Sequence, residues 1–349
     1  MPGYPCPMHP LSADPVPPLP RRRTWAAGIG WALLVPVLLL LGLRLTGLSV
    51  GTPWVQLLSL TPLFIVPSLG ALLFFALARR TFPALVAAGA AIALAVLLVA
   101  PFAPAGNVRG TATQDCSAPG LRMMSLNARL GRADAAAVVE TVRREQVQLL
   151  AIQEFTPALG AELSAAGLDE LLPHTTQVPE GGAAGAGIFS QFPLTVRDVP
   201  GLDSMSFENP TASFTVFGSD GRERRVEITN VHTFPPLPDA VDSWRHDLAA
   251  LAAVNTGGGT RILAGDFNAT YDHREFRDLL HANADAPLSD ASTGGLARLQ
   301  PTWPREHQYS PGIVIDHVLT SADVSTCDYA TGRIPGSDHA AVLVTLNFG

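Results

Sequence analysis

The sequence predicts an α/β domain preceded by three membrane-spanning helices. About the first hundred residues hold three long apolar runs, whereas the remainder alternates short apolar strands with helical patterns. Strand after strand in that second part ends on Asn, Glu, His or Asp. The charges divide at the same place. With no lysine in the chain, six Arg against one acid give residues 1–104 a charge of +5, and 17 Arg against 29 acids give residues 105–349 a charge of −12.

Residues 1–24 read as a disordered, proline-rich cytoplasmic tail, too polar and too broken by proline to bury a core. Residues 25–104 hold three apolar runs, Gly28 to Leu48, Trp54 to Ala78 and Pro83 to Phe102. Each is near the ~20 residues that cross a bilayer as helix. Arg44 sits inside the first run, close enough to its end for the guanidinium to reach the interface. Arg21, Arg22 and Arg23 precede the first run and Arg79-Arg80 follow the second, so the positive-inside rule puts the amino terminus in the cytoplasm. Three crossings then place everything after Phe102 outside it. The first run is too long, and too soon followed by two more, for a cleaved signal peptide. The expected location is a multi-pass protein of the cell membrane, held in the lipid bilayer by three helices, with a linker over 105–118 and an extracytoplasmic domain over 119–349.

Within that domain Leu121 to Asn127 reads as a strand ending in an amide, and Gln148 to Glu154 as one ending in an acid. Asp134 starts a helix between them whose Val138, Val139 and Val142 recur at helical spacing. Gly181 to Gly187 is a flexible loop before the Ile188-Phe189 strand. Arg225 to Val231 alternates as a strand and stops at His232. Trp244, Leu248 and Leu251 mark a second helix over Asp239 to Val254. Then come Leu263 to Asn268, Ile313 to Leu319 around Asp316, and Ala341 to Leu346 behind Ser337-Asp338-His339.

Gly265-Asp266-Phe267-Asn268 concentrates the chemistry. Side chains at i and i+2 of a strand share a face, which would aim Asp266 and Asn268 into one volume. A carboxylate can orient or deprotonate water, and a neutral amide can donate to a phosphoryl oxygen without adding charge. The bland alternative is a turn that merely ends a strand. Neither a Cys-x-x-Cys nor a His-x-x-Glu-His spacing is present, which excludes a dedicated zinc site of those kinds. The acidic domain offers no electrostatic footprint for a long polyanion.

The ordered series Ser125-Leu-Asn127, Gln153-Glu154, Asn230-Val-His232, Gly265-Asp-Phe-Asn268, Ile315-Asp316-His-Val and Ser337-Asp338-His339 resembles the endonuclease/exonuclease/phosphatase superfamily, over residues 119 to 349. Membrane-anchored bacterial members are the nearest match. The resemblance implies the deoxyribonuclease I-like fold, a four-layer α/β/β/α sandwich, and a divalent-metal-dependent hydrolase of phosphate esters using Mg²⁺ or Mn²⁺. It implies that Glu154 and Asp338 hold the metal, that Asp266 activates water, and that Asn268 and Asn127 donate to phosphate or metal-bound water. His339 would donate to a phosphoryl oxygen, oriented by Asp316, and His232 would stabilise developing charge or protonate the leaving oxygen. Arg129 stands where several nuclease members carry an acid, so the resemblance does not fix whether the substrate is nucleic acid, a lipid head group or a small ester. In such a fold the chain ends pair near each other, which implies a Cys116 to Cys327 disulfide.

No protein partner is implied. His317 is expected to point away from the site, and His174, His246, His273, His281 and His307 to lie outside it. Trp244 and Trp303 are expected to pack in the core or at its rim. Two other function classes compete. An inactive binding or sensor module is opposed by the intact Glu154, Asp266, Asn268 and His339. A channel or transporter is opposed by the absence of charged or paired polar residues deep in the three runs.

Overall fold

The computed structural model describes residues 21–48, 50–99, 120–254, 259–293, 299–305 and 312–349. Most of the expected tail, the whole linker at 105–118 with Cys116, and His307 lie outside them. By contacts the chain divides into two units, Met1–Leu39 with Leu63–Leu94, and Leu40–Pro62 with Ala95–Gly349.

The first unit is helical. Helix α1 (Arg21–Thr46) runs into the second unit, α2 (Trp54–Leu58) belongs to that unit, and α3 (Ile65–Leu77) and α4 (Thr81–Val99) complete the apolar part. Trp31 meets the edge of Phe75 at 5.2 Å between ring centroids, and the Ser68 hydroxyl donates to the Ala87 carbonyl at 2.9 Å. Two helices among the described residues, Thr24–Thr46 and Thr81–Val99, are long and apolar enough to cross a membrane. Three were expected. The middle run is not one helix: it breaks into α2, a 3₁₀ turn over Thr61–Phe64 and α3, leaving a shorter apolar helix over Thr61–Leu77. Pro53 precedes α2 and Pro62 stands in the 3₁₀ turn, and a ring that lacks an N–H and fills the space of the preceding turn interrupts a continuous helix.

The second unit is built on two six-stranded sheets. Its strands are β1 (Leu121–Asn127), β2 (Leu149–Gln153), β3 (His174–Val178), β4 (Ala186–Ser190), β5 (Thr195–Arg197), β6 (Thr211–Phe217), β7 (Glu223–His232), β8 (Thr260–Asp266), β9 (Ser289–Asp290), β10 (Asp316–Thr320), β11 (Val324–Arg333) and β12 (Ala340–Phe348). One sheet has the order β11-β12-β1-β2-β4-β3, and the other β5-β6-β7-β8-β10-β9. Each contains one parallel pair, β1 with β2 and β7 with β8, and an antiparallel neighbour on the far side of β1 and of β8. Met123, Leu149, Ile188 and Val344 of the first sheet pack face to face with Phe214, Ile228, Ile262 and Val318 of the second. The other face of the first sheet is covered by α5 (Ala135–Arg144), α6 (Pro157–Ala165) and α7 (Leu168–Leu171), through Val138, Val142, Leu159 and Leu163. α8 (Val241–Val254) and α9 (Arg274–Leu280) cover the second, through Trp244, Leu248, Phe276 and Leu279. The layers are therefore α/β/β/α, as expected.

Asp134 caps α5 by accepting from the Ala137 N–H at 2.9 Å. Across the apolar middle of the sandwich, one polar contact ties the sheets: Gln153 Nε2 donates to Asn230 Oδ1 at 2.6 Å, and Asn230 Nδ2 donates back to the carbonyls of Ile152 and Gly187.

Gly265 has φ +152°, and a Cβ there would lie 1.9 Å from the carbonyl oxygen of Val231, its partner on the parallel neighbour β7. Gly265→Ala is expected to cost about 1–3 kcal/mol in backbone strain alone. At roughly 2–4 °C per kcal/mol for a domain of this size the thermal midpoint falls by several degrees, measurable by scanning fluorimetry in detergent. An unchanged midpoint would mean that β7 yields.

Leu40–Pro62 is part of the second unit's fold. Arg44 Nε pairs with Asp272 Oδ1 at 2.9 Å with both side chains nearly buried, and Val55 enters the core under α8 and α9. His273 takes the Thr270 N–H on Nδ1, which leaves Nε2 protonated to donate to the Val55 carbonyl at 2.8 Å. Gln56 Nε2 donates to the Pro236 carbonyl, and Arg245 to that of Val50. Cys327 is disulfide-bonded. Cys6 and Cys116, the remaining cysteines, lie outside the described residues.

Candidate active site

The expected residues gather at one end of both sheets. Asn127 closes β1, and Glu154 follows β2, its parallel partner. His232 and Asp266 close β7 and β8 and stand opposite each other in register, and Asp316, the first residue of β10, is opposite Asp266 on the other side. Asp266 is thus flanked by its two partners in one row of the sheet. His339 immediately precedes β12, the antiparallel neighbour of β1.

Asn127 joins the two sheets at the site. Its amide donates to Glu154 Oε1 and to Asp266 Oδ2, both at 3.0 Å, while its own oxygen accepts from the Arg129 N–H at 2.8 Å. Glu154 Oε2 accepts from the Leu130 N–H. His339 Nδ1 donates to both Asp316 oxygens at 3.0 and 3.1 Å, and its Nε2 faces Asp266 Oδ2 at 3.8 Å. The Thr302 hydroxyl accepts from the Ile315 and Asp316 N–H groups, and the Ser337 hydroxyl accepts from the His339 N–H while donating to the Asn127 carbonyl. Asp266, Asp316 and His339 offer ligand atoms within 4.8 Å of one another.

His232 Nδ1 lies 3.1 Å from the Ala183 carbonyl, which can only accept. The proton is therefore on Nδ1, and the neutral ring turns a lone pair on Nε2 toward Glu154 Oε1 at 3.8 Å and Asp266 Oδ2 at 3.9 Å. Burial, with the nearby His339 charge, lowers the His232 pKa to about 3, so the ring stays neutral. Burial and the Asp316 charge push Asp266 up to about 7 against the pull of His339 and the Asn268 and Asn127 hydrogen bonds. For His339 burial acts downward, but the charges of Asp316 and then Asp266 reverse it and raise the pKa to about 9.

Asn268 does not share a strand face with Asp266. Asp266 is the last residue of β8, and Asn268 lies beyond it at φ +46°, donating its backbone N–H to Asp266 Oδ1 at 2.9 Å and its side-chain amide to the Thr233 carbonyl. The motif folds as an Asx turn because a short side-chain acceptor can bond the N–H two residues on. Of the seven non-glycine residues with positive φ among those described, Arg129, Leu130, Glu154 and Asn268 belong to this site. That concentration marks a backbone held against its preference by the surrounding bonds.

The Asp338 carboxylate meets Arg129 Nε at 3.7 Å and accepts from Trp303 Nε1 at 3.3 Å. Trp303 is 6.3 Å from the His339 ring and 37% exposed, so this tryptophan is at the mouth. His317 faces away as expected, buried between Asp290 at 2.8 Å and the Ala269 carbonyl at 3.0 Å. His273 belongs to the contact with Val55, outside the site.

Sequence reasoning missed three contributors. Phe207 stacks on His232 at 4.5 Å and Phe234 on Phe207 at 5.3 Å, forming a column of near-parallel rings beside the site. Asp247, wholly buried, accepts from the Ser206 and Phe234 N–H groups and so binds both aromatic loops to α8. Its signal was present, since an acid on the stripe of Trp244, Leu248 and Leu251 must find donors indoors.

Two stacked sheets whose carboxylate, amide and imidazole groups meet at one end are the architecture of the deoxyribonuclease I-like superfamily of phosphoester hydrolases. Residues 124–339 match the Endonuclease/Exonuclease/phosphatase family, and the chain belongs to that family. No curated protein sequence matches it. Similar solved structures include an endonuclease/exonuclease/phosphatase from Beutenbergia cavernae, at 18% identity and TM-score 0.45, with 66% of this chain and 72% of that one covered. D. rerio TDP2 complexed with a single-strand DNA product follows at 15% identity and TM-score 0.49, covering 65% and 98%. A mannosyl-6-phosphatase of Bacteroides thetaiotaomicron has 15% identity and TM-score 0.46, covering 65% and 100%.

Proposed function

We propose that the protein is a membrane-anchored, divalent-metal-dependent hydrolase of phosphate esters whose domain lies outside the cytoplasm. The observation that carries the reading is the pairing of Asp266, raised to about 7, with His339, raised to about 9, 3.8 Å apart at one site. Near neutrality such a pair holds a base able to take a proton beside an acid able to give one.

The residues fit a hard divalent cation such as Mg²⁺ or Mn²⁺. The lone pair of His232 Nε2 faces Glu154 Oε1 at 3.8 Å and Asp266 Oδ2 at 3.9 Å, acceptors whose repulsion a cation would relieve. Glu154 would be its principal holder, and Asp338, engaged with Arg129, would act at the outer edge. When bound, such a cation polarises the phosphoryl oxygens and lowers the pKa of water.

Asp266 then accepts the proton of the attacking water. Asn127 keeps Asp266 and Glu154 in place through its two N–H groups, and His339, held by Asp316, donates from Nε2 to a phosphoryl oxygen as charge develops there. His232, neutral and with its proton on Nδ1, orients through Nε2 and does not supply charge. Asn268 supports the Asp266 turn through its backbone N–H, and its amide, which donates to the Thr233 carbonyl, would turn to donate to the phosphate.

A parity argument supports this topology. The loop after α1 packs within the same unit as the catalytic residues, so both lie on one face of the bilayer. The segment between them must cross twice or not at all. α4 is long enough to cross, and the return would fall to the shorter apolar stretch Thr61–Leu77, about 25 Å as helix, aided by local thinning of the bilayer.

Turnover of the full chain in detergent with Mg²⁺ or Mn²⁺ on p-nitrophenyl phosphate, bis-p-nitrophenyl phosphate, phospholipid, plasmid DNA and RNA tests the function; no hydrolysis in any arm would refute it. Glu154→Gln is expected to lose at least ~10-fold in rate at low Mg²⁺ and to recover part of it as Mg²⁺ rises, because a first-contact charge is lost while the base remains. Equal Mg²⁺ affinity by calorimetry in variant and parent would remove Glu154 from that role.

A further inference from the structure

The hydrolase reading leaves the substrate open, and the contacts of Leu40–Pro62 narrow it. Helix α1 ends at Thr46. Two residues before that end, Arg44 is joined to Asp272, six residues along the chain from Asp266. Ten residues past it, Gln56 is joined to the Pro236 carbonyl, four residues from His232. Four residues of chain reach at most about 14 Å. Both sides of the site are thus tied by short leads to the end of an apolar helix.

The segment His232-Thr-Phe-Pro-Pro-Leu237 forms one wall of the site and carries the outer ring of the aromatic column, Phe234. Beyond Phe234 stands Leu237, 51% exposed, and the α1 end carries exposed Leu45 and Leu48, with Trp54 39% exposed at the start of α2. Tryptophan at such a position marks the boundary between hydrocarbon and head groups. Exposed Leu130 follows Arg129, whose guanidinium pairs with Asp338, and exposed Trp303 donates to the same carboxylate. Exposed apolar side chains close to the catalytic residues suit a molecule that joins a phosphate to a hydrocarbon, and the −12 charge over residues 105–349 disfavours a long polyanion.

We propose that the phosphate ester hydrolysed here is borne by a lipid of the same bilayer that holds α1, its head group reaching Asp266 and His339 along the Phe234–Leu237 wall while its chains stay in the membrane. This rests on the hydrolase reading. Water attacks phosphorus, the bond to one ester oxygen breaks, that oxygen leaves with a proton, and the phosphate stays with the other product.

The test reconstitutes the full chain with Mg²⁺ in phosphatidylcholine vesicles containing phosphatidic acid or phosphatidylglycerol. The comparison substrates are their deacylated counterparts, glycerol 3-phosphate and glycerophosphoglycerol, with bis-p-nitrophenyl phosphate and single-stranded DNA. At least one lipid should be turned over with kcat/KM at least tenfold above its deacylated counterpart, and diluting it in phosphatidylcholine at constant bulk concentration should slow the reaction. Leu237→Asp and Leu48→Asp, both at exposed positions, should each lower the ratio of lipid to soluble turnover at least tenfold. Soluble esters or DNA cleaved as fast as the lipids, or a ratio unmoved in both variants, would overturn the proposal while leaving the hydrolase reading intact. Silence on every substrate would sink both.

Discussion

Asp266→Asn should reduce turnover by at least ~10²-fold, the low end for loss of a positioned base, which corresponds to about 2.7 kcal/mol of transition-state stabilisation. The new amide keeps the shape of the carboxylate and can still accept from the Asn268 N–H, but it cannot take a proton. Its own NH₂ would also confront that of Asn127, which now donates to Asp266 Oδ2. The parent's pH profile carries the same signature. Asp266 acts as the carboxylate, so kcat/KM should rise with pH through about 7. His339 acts as the imidazolium, so the rate should fall again above about 9. The two groups titrate as a pair, and the limbs belong to the pair. Added Mg²⁺ should move the acid limb down, because a cation beside Asp266 favours its charged form. An acid limb that does not shift with Mg²⁺ concentration, or near-parental turnover in Asp266→Asn, would dismiss Asp266 as the base.

His339→Ala should cost a similar ~10²-fold or more by removing the donor whose Nε2 faces Asp266. Asp316→Asn should be milder in rate and clearer in pH. Asp316 accepts from Nδ1 with both oxygens and is the first of the charges that raise His339, so its neutral replacement should bring the alkaline limb down toward neutrality. A variant that merely loosened the fold would lower the rate without moving that limb. The pH–rate profile of Asp316→Asn on the best substrate, with scanning fluorimetry alongside, separates the two; an unmoved limb would exclude Asp316 as the group that holds His339 charged.

What could be read ahead in the chain was what repeats at short range. Period-two apolar patterning gave the central strands, the stripe of Val138, Val139 and Val142 gave α5, and polar residues at strand ends brought Asn127, Glu154, His232, Asp266, Asp316 and His339 to one place. Misreadings came where composition and conformation part. The apolar run from Trp54 looked like one helix because hydropathy ignores Pro62, whose effect is steric. Asp266 and Asn268 looked like neighbours on a strand because the strand's end cannot be read to one residue, and the Asx turn took over there. That Arg129 and Trp303, 209 and 35 positions away, also meet the Asp338 carboxylate was not legible, because nothing local reveals it. The docking of Val55 and Arg44 on the approach to α9, and of Gln56 on Pro236 before α8, is invisible for the same reason: it pairs segments about 180 to 230 residues apart that carry no common pattern.

The hydrogen bond between Gln153 and Asn230 has a bearing on precision. Apolar faces packed together resist separation far better than they resist sliding, since one methyl group serves a neighbour nearly as well as the next. Asn127 and Glu154 come from one sheet, and His232 and Asp266 from the other, so a slip of a single ångström would unmake the constellation without exposing any core. Amide groups have direction, and Asn230 spends both of its N–H groups on carbonyls of the opposite sheet, at Ile152 and Gly187. The pair works as a dowel between two plates, and the alignment of the reacting groups is set inside the sandwich, one residue before Glu154 and two before His232.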